Sequence, residues 1–151
     1  IRDFPLAATY NNNIVNHEDG IDDNETGTNA GISSFITSAQ FDLDDGHKFA
    51  FIQKVYPDVT FDGSTAESPT ATLSLFAAQN SGSGRNSPAS EGGTNTGSIT
   101  RTATAPIEAF TSRLDLRVRG RQLALKIESS EAGVKWQLGS PRLELRPDGR
   151  R

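Results

Sequence analysis

The sequence predicts an all-β domain, an antiparallel β-sandwich of about seven or eight short strands preceded by an extended N-terminal arm. Short stretches of alternating apolar and polar residues are separated by turn-forming residues, and no stretch has convincing helical periodicity. Asn, Ser, Thr and Gly are abundant in the 151 residues, which favours strands and loops over helices. We therefore expect an arm over residues 1–31 and one sandwich domain over residues 32–151.

The first segment, residues 1–31, is predicted to be an extended acidic arm or a linker, because it has few apolar anchors and an acidic run from Glu18 to Glu25. An alternative is a calcium loop, since the run supplies hard oxygen ligands, although the EF-hand spacing is absent. Its candidate ligands are Asp19, Asp22, Asp23 and Glu25. The chain begins at Ile1 and contains no Met, so we expect a fragment or a processed product.

Three strands are expected before the first long loop. Residues 32–43 alternate and end at the turn signal that starts with Asp44, and residues 48–55 form the next strand. Pro57 ends that strand because proline has no N–H to donate. Residues 68–78 make the third strand, with alanines and leucines in phase.

A long, flexible loop is predicted over residues 79–98, which are low in complexity and nearly free of apolar side chains. A loop of this length in a compact domain is usually functional or disordered. Residues 98–105 follow as an edge strand.

The stretch 113–128 organises the remaining strands, because it carries two alternating apolar sets that change parity at Gly120. One continuous strand would need a bulge there. A hairpin with Gly120 and Arg121 in a type II′ turn needs no bulge, because glycine accepts the positive φ of that turn. We therefore predict a hairpin with one buried face. Its apolar positions are Leu114, Leu116 and Val118 on one strand and Leu123, Leu125 and Ile127 on the other.

Two short strands follow the hairpin, at residues 134–138 and 142–146. If the first turns back on the hairpin, Trp136 lies opposite Leu125 and packs over the core face.

The unusual polar feature is a row of arginines that parity places on the outer face. These are Arg113, Arg117, Arg119, Arg121, Arg142 and Arg146. The row is either a solvated sheet face with weak ion pairs, or a contact surface for protein, since arginine is enriched at interfaces. Contact with DNA phosphate is a third interpretation. Residues 1–67 carry 12 acidic and 3 basic residues, and residues 68–151 carry 7 and 12, so opposite halves could pair between identical subunits.

No catalytic constellation is evident, so we expect neither an enzyme nor a cofactor or metal site. The chain has no Cys, and its histidines, His17 and His47, are far apart. Carboxylates that could cleave a glycosidic bond mostly alternate with leucines, as on a solvated outer face. They are Asp115, Glu128, Glu131 and Glu144. No apolar run approaches the length that spans a membrane, so no membrane partner is expected.

Four stretches are similar to a known family. They read RLDLRVRGRQ at 113–122, WQLGSPRLELRPDGRR at 136–151, FIQKVYPDVTF at 51–61 and TLSLF at 72–76. Together they resemble the C-terminal part of virion proteins from short-tailed bacteriophages, of the tail-nozzle or DNA-stabilisation type. The resemblance covers about residues 32–151 and leaves the arm outside it.

The resemblance implies a structural domain of a phage tail, located in the virion, that assembles into a ring and helps to retain and release packaged DNA. Its implied partners are identical subunits and other tail proteins, with transient contact to DNA. An alternative is a carbohydrate- or receptor-binding sandwich of a tail tip or adhesin, in which Tyr10, Tyr56 and Trp136 act with loop 79–98. A polysaccharide-cleaving enzyme is the third interpretation.

Overall fold

A computed structural model describes residues 4–44, 46–78 and 99–149. Within these ranges the chain is all-β, with antiparallel strand pairs and no helix, which confirms the predicted fold class. The first eight strands are β1 (Leu6–Ala8), β2 (Ile14–Asn16), β3 (Asp22–Asp23), β4 (Ala30–Gly31), β5 (Ser34–Thr37), β6 (Phe41–Asp42), β7 (Ala50–Tyr56) and β8 (Val59–Thr60). The last six are β9 (Thr70–Ala78), β10 (Ile99–Glu108), β11 (Leu114–Gly120), β12 (Gln122–Ser129), β13 (Gln137–Leu138) and β14 (Arg142–Pro147).

Two sheets form the sandwich. The larger has the order β10-β9-β12-β5, with β6 also paired to β12, and the smaller has the order β11-β7-β14. Loop 79–98, which joins β9 to β10, lies outside the described residues.

The core lies between these sheets because each turns its alternating apolar side chains inward. Leu73 of β9 lies opposite Ile127 of β12, and both are fully buried. Ile52 and Val55 of β7, also fully buried, belong to the same apolar cluster from the smaller sheet. Of the positions predicted to be apolar and inward, Leu116, Val118, Leu123, Leu125 and Ile127 are buried, and Leu114 and Trp136 pack against the cluster half-buried.

The predicted hairpin at 113–128 is wrong. β11 pairs with β7, and β12 pairs with β9, β5 and β6, so the chain leaves one sheet and enters the other at Arg121. Val118 lies opposite Ile52 rather than Leu123. Both apolar sets still face the core, because β11 and β12 lie in the two sheets on either side of it. Strands that switch sheets do so through a bend or bulge, and the parity change at Gly120 marks that bend. Alternation reports which side is buried and does not identify the neighbouring strand.

Gly120 is needed for close approach, not for a left-handed turn. It is not among the glycines with positive φ. A Cβ at Gly120 would lie 2.9 Å from the Ala77 Cβ and 3.1 Å from the Ala78 carbonyl oxygen. The Arg121 N–H donates a hydrogen bond of 2.8 Å to that carbonyl, which holds the crossing segment against β9.

Trp136 also takes a different neighbour from the predicted one. The short strand after it, β13, pairs with β8 rather than with β12. The Trp136 indole N–H donates a hydrogen bond of 2.9 Å to Ser34 Oγ, which ties residue 136 to β5 of the larger sheet.

The acidic arm lies outside both main sheets and contains two small strand pairs, β1–β2 and β3–β4. It is attached to the sandwich through the loop before β13. An Asp22 carboxylate oxygen accepts a hydrogen bond of 2.6 Å from the Gly133 N–H. Gly31 packs so closely that a Cβ there would lie 2.1 Å from the Ser130 carbonyl oxygen.

Replacing the crossing glycine should destabilise the domain. We expect Gly120→Ala to lower the free energy of unfolding by about 1–3 kcal/mol, because the added methyl group overpacks the contact with β9. Urea denaturation measures this loss. The double variant Gly120→Ala/Ala77→Gly should lose less than the sum of the two single variants. Strict additivity, or an unchanged midpoint for Gly120→Ala, would contradict the close contact.

Removing the Asp22 carboxylate should release the arm from the sandwich. In Asp22→Ala the Gly133 N–H loses its charged acceptor, a bond type worth about 1.5–3 kcal/mol. Hydrogen exchange at the Gly133 amide should therefore accelerate about tenfold or more. Asp23→Ala serves as the control, because it removes one negative charge from the adjacent residue and leaves the bond between Asp22 and Gly133 in place. Equal exchange rates in both variants would show that Asp22 does not anchor the arm.

Candidate functional site

The smaller sheet turns a row of arginines and aromatic rings outward, which we call the arginine–aromatic face. The aromatic rings lie in or just before the central strand β7, and they are Phe49, Phe51 and Tyr56. The arginines lie on or beside the edge strands β11 and β14, and they are Arg113, Arg117, Arg119, Arg121, Arg142 and Arg146. Register explains the arrangement. Phe51 lies between Arg119 of β11 and Arg146 of β14, and Tyr56 lies opposite Arg142. Residues directly opposite in a sheet share a face, so strands distant in sequence bring these side chains together.

Each aromatic ring has a guanidinium group above it. The Arg119 Cζ lies 3.9 Å from the centroid of Phe49, and the Arg121 Cζ lies 5.0 Å from the same ring. The Arg146 Cζ is 5.0 Å from the Phe51 centroid. The Arg142 Cζ is 5.7 Å from the Tyr56 centroid. Guanidinium groups at such distances are attracted by the negative face of the ring, which restrains their orientation.

At one end of the face the arginines are part of the fold. Phe49 is buried beneath Arg119 and Arg121, which are themselves only half exposed. Arg119 donates to the Asp148 carboxylate at 2.5 Å through Nε and to its carbonyl oxygen at 2.9 Å. The Asp148 N–H in turn donates to the Phe49 carbonyl oxygen at 2.8 Å. Arg119 and Arg121 therefore cover an apolar ring, which parity alone could not reveal.

The rest of the face carries exposed cations. Arg113 pairs with Asp115 at 3.2 Å, and Lys54 pairs with Glu144 at 3.1 Å. Arg117, Arg142 and Arg146 are exposed, and no carboxylate of the described ranges forms an ion pair with them. Three guanidinium groups thus remain for an external acceptor. A planar guanidinium whose flat side rests on a ring can still offer its N–H edge to a carboxylate or phosphate.

The outer face of the larger sheet has a different chemistry. Its central rows contain Thr102, Phe76 and Ala124, and then Thr104, Ser74 and Lys126. The Lys126 ammonium is neutralised by Glu128 at 2.6 Å. Among the described residues, six of the arginines of the second half of the chain therefore lie on the side of the smaller sheet, and Arg101 lies on the larger one.

The carboxylates considered for glycosidic cleavage are mostly engaged by cations. Asp115, Glu128 and Glu144 each form an ion pair on an outer face. Glu131 and Glu128 line a small polar cleft of about 220 Å³ at the end of the larger sheet.

The aromatic residues considered for sugar binding occupy three different parts of the fold. Tyr10 is fully exposed in the arm, Tyr56 lies under Arg142, and Trp136 packs against the core and bonds to Ser34. Loop 79–98, which completes that hypothesis, is outside the described residues.

The carboxylates considered for calcium are partly used to hold the arm together. Asp22 binds the Gly133 N–H, and Glu25 accepts hydrogen bonds from Thr9 Oγ1 at 2.5 Å and from Asn13 Nδ2 at 3.3 Å. The Thr9 hydrogen bond is the main cause of a lowered Glu25 pKa. In the described part of the chain, no group of three or more His, Asp or Glu side chains could hold a metal ion.

The chain matches no protein-family model and no curated protein. Across residues 4–44, 46–78 and 99–149, no helix has the length and apolar character needed to cross a membrane.

The contact between Glu25 and Thr9 should depend on pH. Because the pKa of Glu25 is lowered from its ordinary value of 4.5, the contact is complete above that value and is lost as pH falls through the lowered pKa. A carboxyl ¹³C titration by NMR should give a pKa below 4.5 for Glu25. Thr9→Val should raise that pKa, whereas Thr26→Val, which removes a hydroxyl from the same segment, should not. Equal values in both variants would contradict the assignment.

Proposed function

We propose that this chain is a structural domain of a virion rather than an enzyme. It forms part of a bacteriophage tail, at the nozzle or hub, where copies assemble into a ring that helps to retain and release packaged DNA. The arginine–aromatic face carries the proposal, because it offers exposed guanidinium groups that have no carboxylate partner in the described chain. The phage context comes from the sequence resemblance.

Three properties make this face suited to bind protein. Arginine and aromatic residues are enriched at the centres of protein interfaces. The rings stand on or next to β7, which is hydrogen-bonded on both sides, so the surface is organised before a partner arrives. The edge strands β11 and β14 also place four of the arginines on regular backbone rather than on loops: Arg117, Arg119, Arg142 and Arg146.

The charge distribution fits repeated copies. The face is basic and the arm is acidic, and both are present on every copy. A contact between two different patches on identical subunits is head-to-tail, and such contacts close into rings when the rotation allows it. The carbohydrate-binding alternative has less support, because its three aromatic residues lie apart.

The proposal is tested by asking whether the chain is present in particles. Virions made by a host that expresses the parent protein are purified on a density gradient and digested for peptide mass spectrometry. Peptides of this chain should co-purify with the particles, and antibodies raised against the domain should label the tail. A chain found only in the soluble fraction would overturn the proposal.

Reversing two charges on the face should block incorporation without unfolding the domain. In Arg117→Glu/Arg146→Glu, incorporation into particles should fall about tenfold or more, which corresponds to about 1.4 kcal/mol of lost contact energy. The free energy of unfolding should fall by no more than about 1 kcal/mol for Arg146→Glu, which loses a cation–π contact with Phe51, and by no more than about 0.5 kcal/mol for Arg117→Glu. Arg101→Glu, an exposed charge reversal on the larger sheet, is the control and should incorporate normally. Normal incorporation of the double variant would exclude this face as the contact.

A further inference from the structure

The tip of the acidic arm presents a compact anionic group. Residues 17–21 connect β2 to β3, and both Glu18 and Gly20 adopt a left-handed backbone, with φ of 61° and 88°. The Glu18 and Asp19 side chains of this bent segment are exposed. The arm from residue 4 to 31 contains acidic residues and no Lys or Arg, so nothing in it neutralises the tip.

The carboxylates of the arm divide into two groups. Asp22 accepts a hydrogen bond from the Gly133 N–H, which ties the arm to the sandwich. Asp23 and Glu25 accept hydrogen bonds inside the arm. Glu18 and Asp19 do neither. In the described structure the Glu18 carboxylate lies 3.8 Å from the His17 imidazole, and neither Glu18 nor Asp19 forms an ion pair with an arginine of the same chain.

We infer that the arm tip of one copy binds the arginine–aromatic face of a second copy, with Glu18 and Asp19 meeting Arg142 and Arg146. This inference rests on the proposed role of that face as a protein contact. The occupant is a second copy because one chain carries both complementary patches and leaves them unpaired with each other.

The chemistry of the two patches matches. Arg142 and Arg146 rest on Tyr56 and Phe51, so their N–H edges are available for planar, bidentate bonds to carboxylates. The arm tip is also tethered to the sandwich, since Asp22 bonds to Gly133 three residues after Asp19. Two ordered partners lose less conformational entropy on binding than two mobile ones.

A charge exchange tests the contact. One variant carries Glu18→Arg and Asp19→Arg, and the other carries Arg142→Glu and Arg146→Glu. Sedimentation velocity of the whole chain at about 0.5 mM protein, in about 50 mM and 500 mM salt, measures association. The unmodified chain should associate at low salt and dissociate at high salt. Each variant alone should be monomeric, because the arm-tip positions 18 and 19 and the face positions 142 and 146 then carry charges of the same sign.

Mixing the two variants is the decisive step. The basic arm tip of one variant then meets the acidic positions 142 and 146 of the other, and the unmodified arm tip of the second meets the unmodified arginines of the first, so association should return. Asp62→Arg/Glu67→Arg, which reverses two exposed charges outside the arm, should behave as the unmodified chain does. Circular dichroism melting of each variant establishes that it is folded before its mass is interpreted.

Several results would overturn the inference. They are an unmodified chain that stays monomeric at low salt, an arm variant that still associates, and a mixture of folded variants that remains monomeric. Binding of double-stranded DNA by a monomeric chain, lost in the face variant, would instead assign the face to phosphate. If the chain is present in purified virions but does not self-associate, the proposed function stands and this contact is excluded. If the chain self-associates but is absent from virions, the contact stands and the proposed function is excluded.

Discussion

The structure depends on the passage of one stretch of chain from one sheet to the other at Gly120. That passage is possible because the backbone there lies against Ala77 with no side chain between them. As a result, residues 114–120 complete the smaller sheet and residues 122–129 enter the larger one. Both strands contribute to one core, and closing that core removes their apolar side chains from water in a chain with a hydrophobic fraction of only 34%.

The same crossing determines the surface. If residues 113–128 formed an isolated hairpin, Arg117 and Arg119 would not lie beside β7. β11 lies on one edge of β7 and β14 on the other. Arginines from these two strands, which are distant in sequence, therefore lie over the aromatic rings in and next to β7. Each exposed cation–π contact contributes only about 0.5–1 kcal/mol, so the main effect of the rings is to orient the guanidinium groups. Core packing and surface chemistry therefore share one cause.

The arm illustrates how one residue type takes different roles in a short segment. Asp22 and Glu25 accept hydrogen bonds inside the chain, and the Glu25 pKa is lowered mainly by Thr9. Glu18 and Asp19 stand on a turn with no such donor, and they face solvent. Composition predicts an acidic arm, but only the positions of Thr9 and Gly133 separate the carboxylates that bind internally from those that can bind a partner.

Alternation by itself determined the fold class, the inward positions such as Leu116 and Ile127, and the outward direction of exposed arginines such as Arg142. These are local properties, because successive side chains of a strand point to opposite sides whatever strand lies beside it. The tertiary structure alone decided that β11 and β12 belong to different sheets, that Trp136 contacts Ser34, and that Arg119 and Arg121 cover Phe49. Strand pairing depends on which apolar faces meet across a shared core, and that choice involves residues far apart in the sequence.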